Sequence, residues 1–152
     1  MREAFTRQLS RPVVGVGVVV LQGSRALLVR RANPPRAGEW SLPGGRQQWG
    51  ETVEEAARRE LFEETGLRAD SLHLLDVVDG ILRDREDAVA HHFTLIDFWT
   101  EIAADAAREA MAGDDAAQLH WAGPDDIDRL VAWPETRRVC HLAFSRREEM
   151  RS

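Results

Sequence analysis

Cysteine is almost missing from this chain. Cys140 stands alone among 152 residues, so no internal disulfide can form, and a reducing cytoplasm is the expected setting. The simplest role for that thiol is a small buried side chain on the last helix. No apolar run is long enough for a membrane span, and Met1–Ser10 carries charges throughout where an export signal would be apolar, so membrane insertion and export are not expected. Histidine and cysteine do not cluster, which removes zinc-type ligand sets. An excess of positive charge is lacking too. The formal net charge is −6, which argues against a nucleic-acid polymer as partner but leaves room for a small phosphorylated ligand held locally by a cation.

What is present suffices for one self-sufficient domain, since 43% of the residues are hydrophobic. Residues 1–12 read as an N-terminal segment and 13–150 as a single domain. Val13 to Leu21 is nearly continuous apolar sequence, a buried strand, and Gln22-Gly23-Ser24 turns it into a second strand, Ala26 to Arg30. A Pro- and Gly-containing loop follows, then a short strand at Trp40–Leu42 leading into Pro43-Gly44-Gly45. Thr52 with Glu55 three positions on is a capping box, and Gly66 marks the stop of the helix between them. Further strands are expected at Leu72–Val78, Ala88–Trp99 and Leu119–Trp121, with helices at Ala103–Ala112, Asp125–Leu130 and Glu135–Glu149. Strands before, between and after helices predict an α+β fold, a mixed sheet packed between helices as an α/β/α sandwich.

The chemistry concentrates on the first helix. Glu60 lies one turn before both Glu63 and Glu64, so three carboxylates crowd one side while Val53, Ala57 and Leu61 form an apolar face. Like charges at that spacing destabilise a helix by roughly 0.2–0.5 kcal/mol per pair, so the cluster favours a bound cation. Oxygen-only ligands suit Mg²⁺, with Mn²⁺ as the alternative, and Mg²⁺ usually binds through carboxylates together with substrate phosphates. A bare Glu-x-x-Glu-Glu is more simply a solvated helix surface. Here, however, it stands at fixed distances from Gly45, Glu51, Arg59, Leu61, Gly66 and Leu67. A chance match to all these positions is on the order of 10⁻⁹ per start position.

That pattern, Gly-x5-Glu-x7-Arg-Glu-apolar-x-Glu-Glu-x-Gly-apolar, resembles the Nudix box without a departure from Gly45 to Leu67. The resemblance implies the Nudix fold and a metal-dependent pyrophosphohydrolase acting on a nucleotide derivative. By position, Glu60 and Glu64 correspond to the main metal ligands, Glu63 to a third that ligates or takes the proton of the attacking water, and the Gly44 carbonyl to a main-chain ligand. Gly45, Glu51, Arg59 and Gly66 correspond to structural positions, Glu51 and Arg59 as the ion pair that ties the loop to the helix. A homodimer is one assembly the family forms.

Outside the box, Arg31 aligns with a phosphate-contacting position in some relatives, and a guanidinium can grip phosphate bidentately; a solvated strand end is the alternative. Asp115, in Asp114-Asp115, falls where some relatives place a further acidic ligand. His91 and His92, adjacent on a strand, should face opposite ways. The five tryptophans offer base-stacking platforms or core side chains. The absence of tyrosine removes the marker of dinucleoside polyphosphate hydrolases. Trp40-Ser-Leu-Pro-Gly-Gly45 with Gly113-Asp-Asp-Ala116 resembles shorter bacterial ADP-ribose pyrophosphatases. ADP-ribose or a similar nucleotide sugar is therefore the expected substrate, with canonical or oxidised nucleoside triphosphates as the enzymatic alternative and a non-catalytic nucleotide sensor as the alternative of another class.

Overall fold

Val13–Gln22 forms strand β1, and its apolar run is long because both faces are buried: Val18 and Val20 point to one side of the sheet, Val19 and Leu21 to the other. The computed structural model describes residues 10–152 except Pro35 and Asp114, so residues 1–9 of the N-terminal segment and Asp114 lie outside the described residues. A turn with Gly23 at φ 59° closes the hairpin to β2, Arg25–Arg31, in the register Leu21↔Ala26. Two short strands follow, β3 at Trp40–Ser41 and β4 at Gly44–Arg46. The second was not legible in the sequence, because Gly44 and Gly45 carry no side-chain pattern and pair with Gly17 and Val16 through backbone alone.

Helix α1, Val53–Thr65, begins where the capping box places it, with Thr52 Oγ1 accepting the Glu55 amide at 3.1 Å. It ends on Gly66 in the left-handed conformation, φ 73°, whose amide donates to the Phe62 carbonyl. Strands β5, His73–Arg83, and β6, Val89–Glu101, form a hairpin longer than the apolar runs suggested. Helix α2 covers only Ala104–Ala107, shorter than the expected Ala103–Ala112. Beyond Ala107 the amides of Glu109 and Ala110 still bond back to Ala106 O and Ala107 O, but the chain is then drawn to the end of α1, where Met111 N donates to Thr65 O at 2.8 Å and Gly113 N to Glu64 O at 2.9 Å. Strand β7, Ala116–Ala122, and helices α3, Pro124–Leu130, and α4, Pro134–Arg151, complete the chain, both helices opening on proline at the first turn.

The sheet order is β3-β2-β1-β6-β5, with β4 also paired to β1 and β7 to β2. It is mixed, since β1 and β6 run parallel from Val13↔Phe93 to Leu21↔Glu101 while the other pairs are antiparallel. Helix α1 covers one face through Ala56, Ala57 and Leu61 against Val18, Val20 and Phe98. Helices α3 and α4 cover the other through Ile127, Val139, Cys140 and Ala143 against Val19, Leu28 and Trp99. Cys140 is thus a buried core side chain, its thiol pushed up to about 12 by burial. Each fully buried aliphatic side chain contributes about 1.5–3 kcal/mol. Arg147 fastens α4 across the sheet end, donating to Gly23 O at 2.6 Å and to Glu101 at 3.1 Å. Among the described residues no helix is long and apolar enough to cross a membrane.

Candidate active site

Arg59 organises the loop before α1. Its Nε and Nη2 grip Glu51 bidentately at 2.6 and 2.8 Å, Nη2 also donates to Arg46 O at 2.9 Å, and Nη1 reaches Glu60 at 2.7 Å and Glu63 at 3.1 Å. The Glu51 carboxyl is held down to about 2, first by Arg59 and then by the Gln48 amide. The loop from Gly44 to Glu51 is thereby tied to the helix that carries the glutamates.

Two of the three glutamates turn inward onto β4. Glu64 is buried, 8% exposed, and its Oε2 accepts the Gly44 amide at 3.1 Å. Burial pushes its carboxyl up to about 7 against that hydrogen bond, and the charges of Glu60 and Asp115 add to the rise. Glu60 is partly buried and is raised by the same cause, opposed by Arg59. Its carboxyl fills the space where a Cβ on Gly45 would stand, 2.4–2.6 Å from the carboxyl atoms. At Gly44 a Cβ would meet Val16 O at 2.1 Å. Consecutive glycines therefore let one carboxylate and the β1 backbone approach closely.

Asp115 arrives from the far end of the sequence. The hydrogen bonds from Met111 and Gly113 stitch its loop to the end of α1, and Gly113 leaves no room for a side chain, since a Cβ would lie 2.5 Å from Glu63 O. Asn33 Nδ2 donates to Asp115 Oδ1 at 2.7 Å, and the Asp115 carbonyl accepts from Ala32 N. A cavity of about 400 Å³ receives Glu60, Glu64, Gly44, Gly45, Arg31 and Asp115. Glu63 is not in its lining; its carboxylate faces Arg59. As they stand, no three His, Cys, Asp or Glu side chains among the described residues are grouped closely enough to enclose a metal ion. The donor set nevertheless suits a hard divalent cation: two carboxylates burdened by burial and mutual repulsion, lodged on adjacent residues of one strand.

The other walls are largely apolar and come from β3, β5, β6 and the start of α4, with Trp40, Phe93, Leu95 and Trp133 among them. Trp99 lies in the core, Trp121 packs against the α1-side core, and Trp49 is exposed. Neither His91 nor His92 lines the cavity. Sequence reasoning had not singled out Asn33, Thr136 or Asp97, all of which line it. For Asp97 a signal existed: it is the one charge in the apolar strand Thr94-Leu-Ile-Asp-Phe-Trp99, and it is 5% exposed with its carboxyl raised to about 7, first by burial and then by Asp76.

Comparison with known proteins agrees with this geometry. Residues 11–142 match the NUDIX domain. An ADP-ribose pyrophosphatase of Methanocaldococcus jannaschii is 34% identical over 120 residues, covering 79% of this chain and 67% of that protein. An oxidized purine nucleoside triphosphate hydrolase of Danio rerio is 52% identical over 56 residues, which is 37% of this chain and only 36% of the fish protein. The NUDIX domain of Shewanella oneidensis NrtR, solved with ADP ribose, superposes with a TM-score of 0.76 over 95% of this chain and 97% of that one; at 19% identity it speaks for the fold alone. With a complete box, the sheet and helices that display it and a domain match spanning most of its length, the chain belongs to the Nudix family of divalent-metal-dependent pyrophosphohydrolases.

Proposed function

We propose that this protein hydrolyses the diphosphate linkage of a nucleoside diphosphate joined to a sugar, ADP-ribose foremost, using Mg²⁺ or Mn²⁺. The observation that carries the reading is the lodging of Glu60 and Glu64 on Gly44–Gly45 in a cavity that also holds the Arg31 guanidinium and is walled elsewhere largely by apolar and aromatic side chains. Glu60, Glu64 and the Gly44 carbonyl would hold the ion, with Asp115 as a further ligand. When bound there, a divalent cation supplies charge neutralisation of the diphosphate and acidification of an attacking water. Arg31 lines the same cavity and contributes a guanidinium to phosphate oxygens. Glu63 accepts the water's proton once its contact with Arg59 opens. Water adds to one phosphorus, the bridging P–O bond breaks, and ADP-ribose yields AMP and ribose 5-phosphate.

Oxidised or canonical nucleoside triphosphates form the second reading, favoured by the 52% identity of the Danio rerio relative through the box. A substrate panel with phosphate-coupled product detection separates the two. AMP formed from ADP-ribose with Mg²⁺ supports the first. Pyrophosphate released from a triphosphate, with no AMP from ADP-ribose, would sink it. Silence across the panel with both Mg²⁺ and Mn²⁺ would favour a nucleotide-binding sensor.

A further inference from the structure

Asp97 occupies the middle of β6 opposite Gly17 of β1, and the missing side chain of that glycine is what admits it: a Cβ there would stand 2.5 Å from Asp97 Oδ1. The residue is 95% buried and lines the cavity; no described residue hydrogen-bonds its carboxyl, whose oxygens are open to the cavity rather than fully enclosed. The charged groups nearby do not compensate. Asp76 on β5 and Glu135 on α4 are acidic, and Arg138 is engaged with both of them, at 2.8 and 2.7 Å. The Cys140 thiol beside it stays neutral through burial. An unpartnered buried carboxyl costs stability, and such a cost persists in a native structure chiefly where a ligand completes the group. The surrounding walls, Trp40, Leu42, Phe93, Leu95 and Trp133, suit a flat aromatic ring.

We propose that Asp97 is a specificity-determining residue that accepts a hydrogen bond from the exocyclic amine of adenine, so that the cavity prefers an adenine nucleotide to its deaminated hypoxanthine counterpart. This rests on the reading that the cavity takes a nucleotide, and it adds the identity of the base and the residue that selects it. Hypoxanthine replaces the amine with an oxo group, which presents an acceptor to an acceptor.

The test compares wild type, Asp97→Asn and Asp97→Val. It measures kcat/KM for ADP-ribose and for the same nucleotide sugar with hypoxanthine in place of adenine, the calorimetric affinities of AMP and IMP, and Tm. Wild type should favour the amine-bearing member of each pair at least about tenfold. Asp97→Val should erase that preference while holding or raising Tm, because an unpaired buried carboxyl gives way to an apolar side chain of comparable reach. Asp97→Asn, which keeps a carbonyl acceptor, should retain most of the preference. A preference that Asp97→Val leaves unchanged, or one absent from wild type, overturns the assignment of Asp97 while leaving diphosphate hydrolysis standing, and a fall in Tm with unchanged selectivity would make Asp97 purely structural. If neither nucleotide sugar is hydrolysed, the substrate reading fails instead, and the AMP-to-IMP affinity ratio decides on Asp97 by itself: equal binding, or none, rejects it.

Discussion

Replacing Gly45 with alanine should damage the site far more than the fold. The backbone at Gly45 is not left-handed, so alanine is conformationally acceptable there. Its Cβ, however, would lie 2.4 Å from Glu60 Cδ and 2.5 and 2.6 Å from the two carboxyl oxygens. Comfortable carbon contacts lie at about 3.5–4.0 Å, so the Glu60 carboxyl must retreat by roughly 1 Å. It is the far end of a flexible side chain, and the rotamer shift costs about 0.5–1.5 kcal/mol, which in a domain of this size lowers Tm by only a few degrees. A 1 Å misplacement of a catalytic group can cost about 10²-fold in rate. Gly44→Ala is the control: its Cβ would meet Val16 O at 2.1 Å and Gly17 Cα at 3.0 Å, rigid backbone of the central strand, so it should cost about 3 kcal/mol and loosen the β1–β4 pairing. Thermal unfolding alongside a Mg²⁺ titration of ADP-ribose hydrolysis reads both. Wild-type turnover in Gly45→Ala, or a loss of Tm equal to that of Gly44→Ala, would refute the reasoning.

Three further outcomes follow from the same geometry. Glu64→Gln keeps the acceptor for the Gly44 amide and deletes the charge, so most turnover should vanish, together with the stabilisation expected of Mg²⁺ in the wild type, about 2.7 kcal/mol at a hundredfold excess over Kd and read as a rise in Tm; an equal Mg²⁺-dependent Tm rise in wild type and variant would move the ion elsewhere. The Asp97 carboxyl rises from an ordinary 3.8 to about 7 on folding, by burial first and then Asp76, with Glu135 adding and Arg138 opposing. Its protonation therefore favours the folded state: the contribution is fully present below pH about 4 and is lost as pH rises through about 7, on the order of 4 kcal/mol. Wild type should accordingly lose Tm relative to Asp97→Asn over that window, and a pH-independent gap would contradict this. Arg147→Leu removes the donor to Gly23 O and Glu101 and should lower Tm by about 5–10 °C, from 2–3 kcal/mol, with kcat unchanged because Arg147 is not in the cavity lining; a matching fall in kcat would show that the far end of α4 reaches the site.

The parts of the site legible in the sequence were those whose causes are local. Thr52, Glu55 and Gly66 mark the ends of α1 through hydrogen bonds within a few residues, and Glu51, Arg59, Glu60, Glu63 and Glu64 hold their relative places by helical spacing and one short loop. What the sequence concealed depends on distant partners. Helix α2 ends early because amides at Met111 and Gly113 find carbonyls of Thr65 and Glu64, and no residue near Ala107 announces it. Glu63 shares the spacing of its neighbours, yet Arg59 draws it aside. Asp97 becomes a cavity wall only when β6 aligns with β1 and α4 closes above, and its oddity in an apolar strand was the one trace of that in the text.

The parallel seam between β1 and β6 has a consequence for how the enzyme comes into being. Everything that cradles the glutamates on β4, from Val13 to Thr65, is contiguous chain and is synthesised first. The seam joins Val13 to Phe93, so a long loop must close before any of its hydrogen bonds forms, and such closures set the pace of folding. A nascent chain therefore carries its acidic helix complete while the floor and far wall of the cavity are still unmade. The walls supplied by β6, the Asp115 loop and the start of α4, with Asp97, Asp115 and Trp133 among them, are the last parts of the cavity to be put in place.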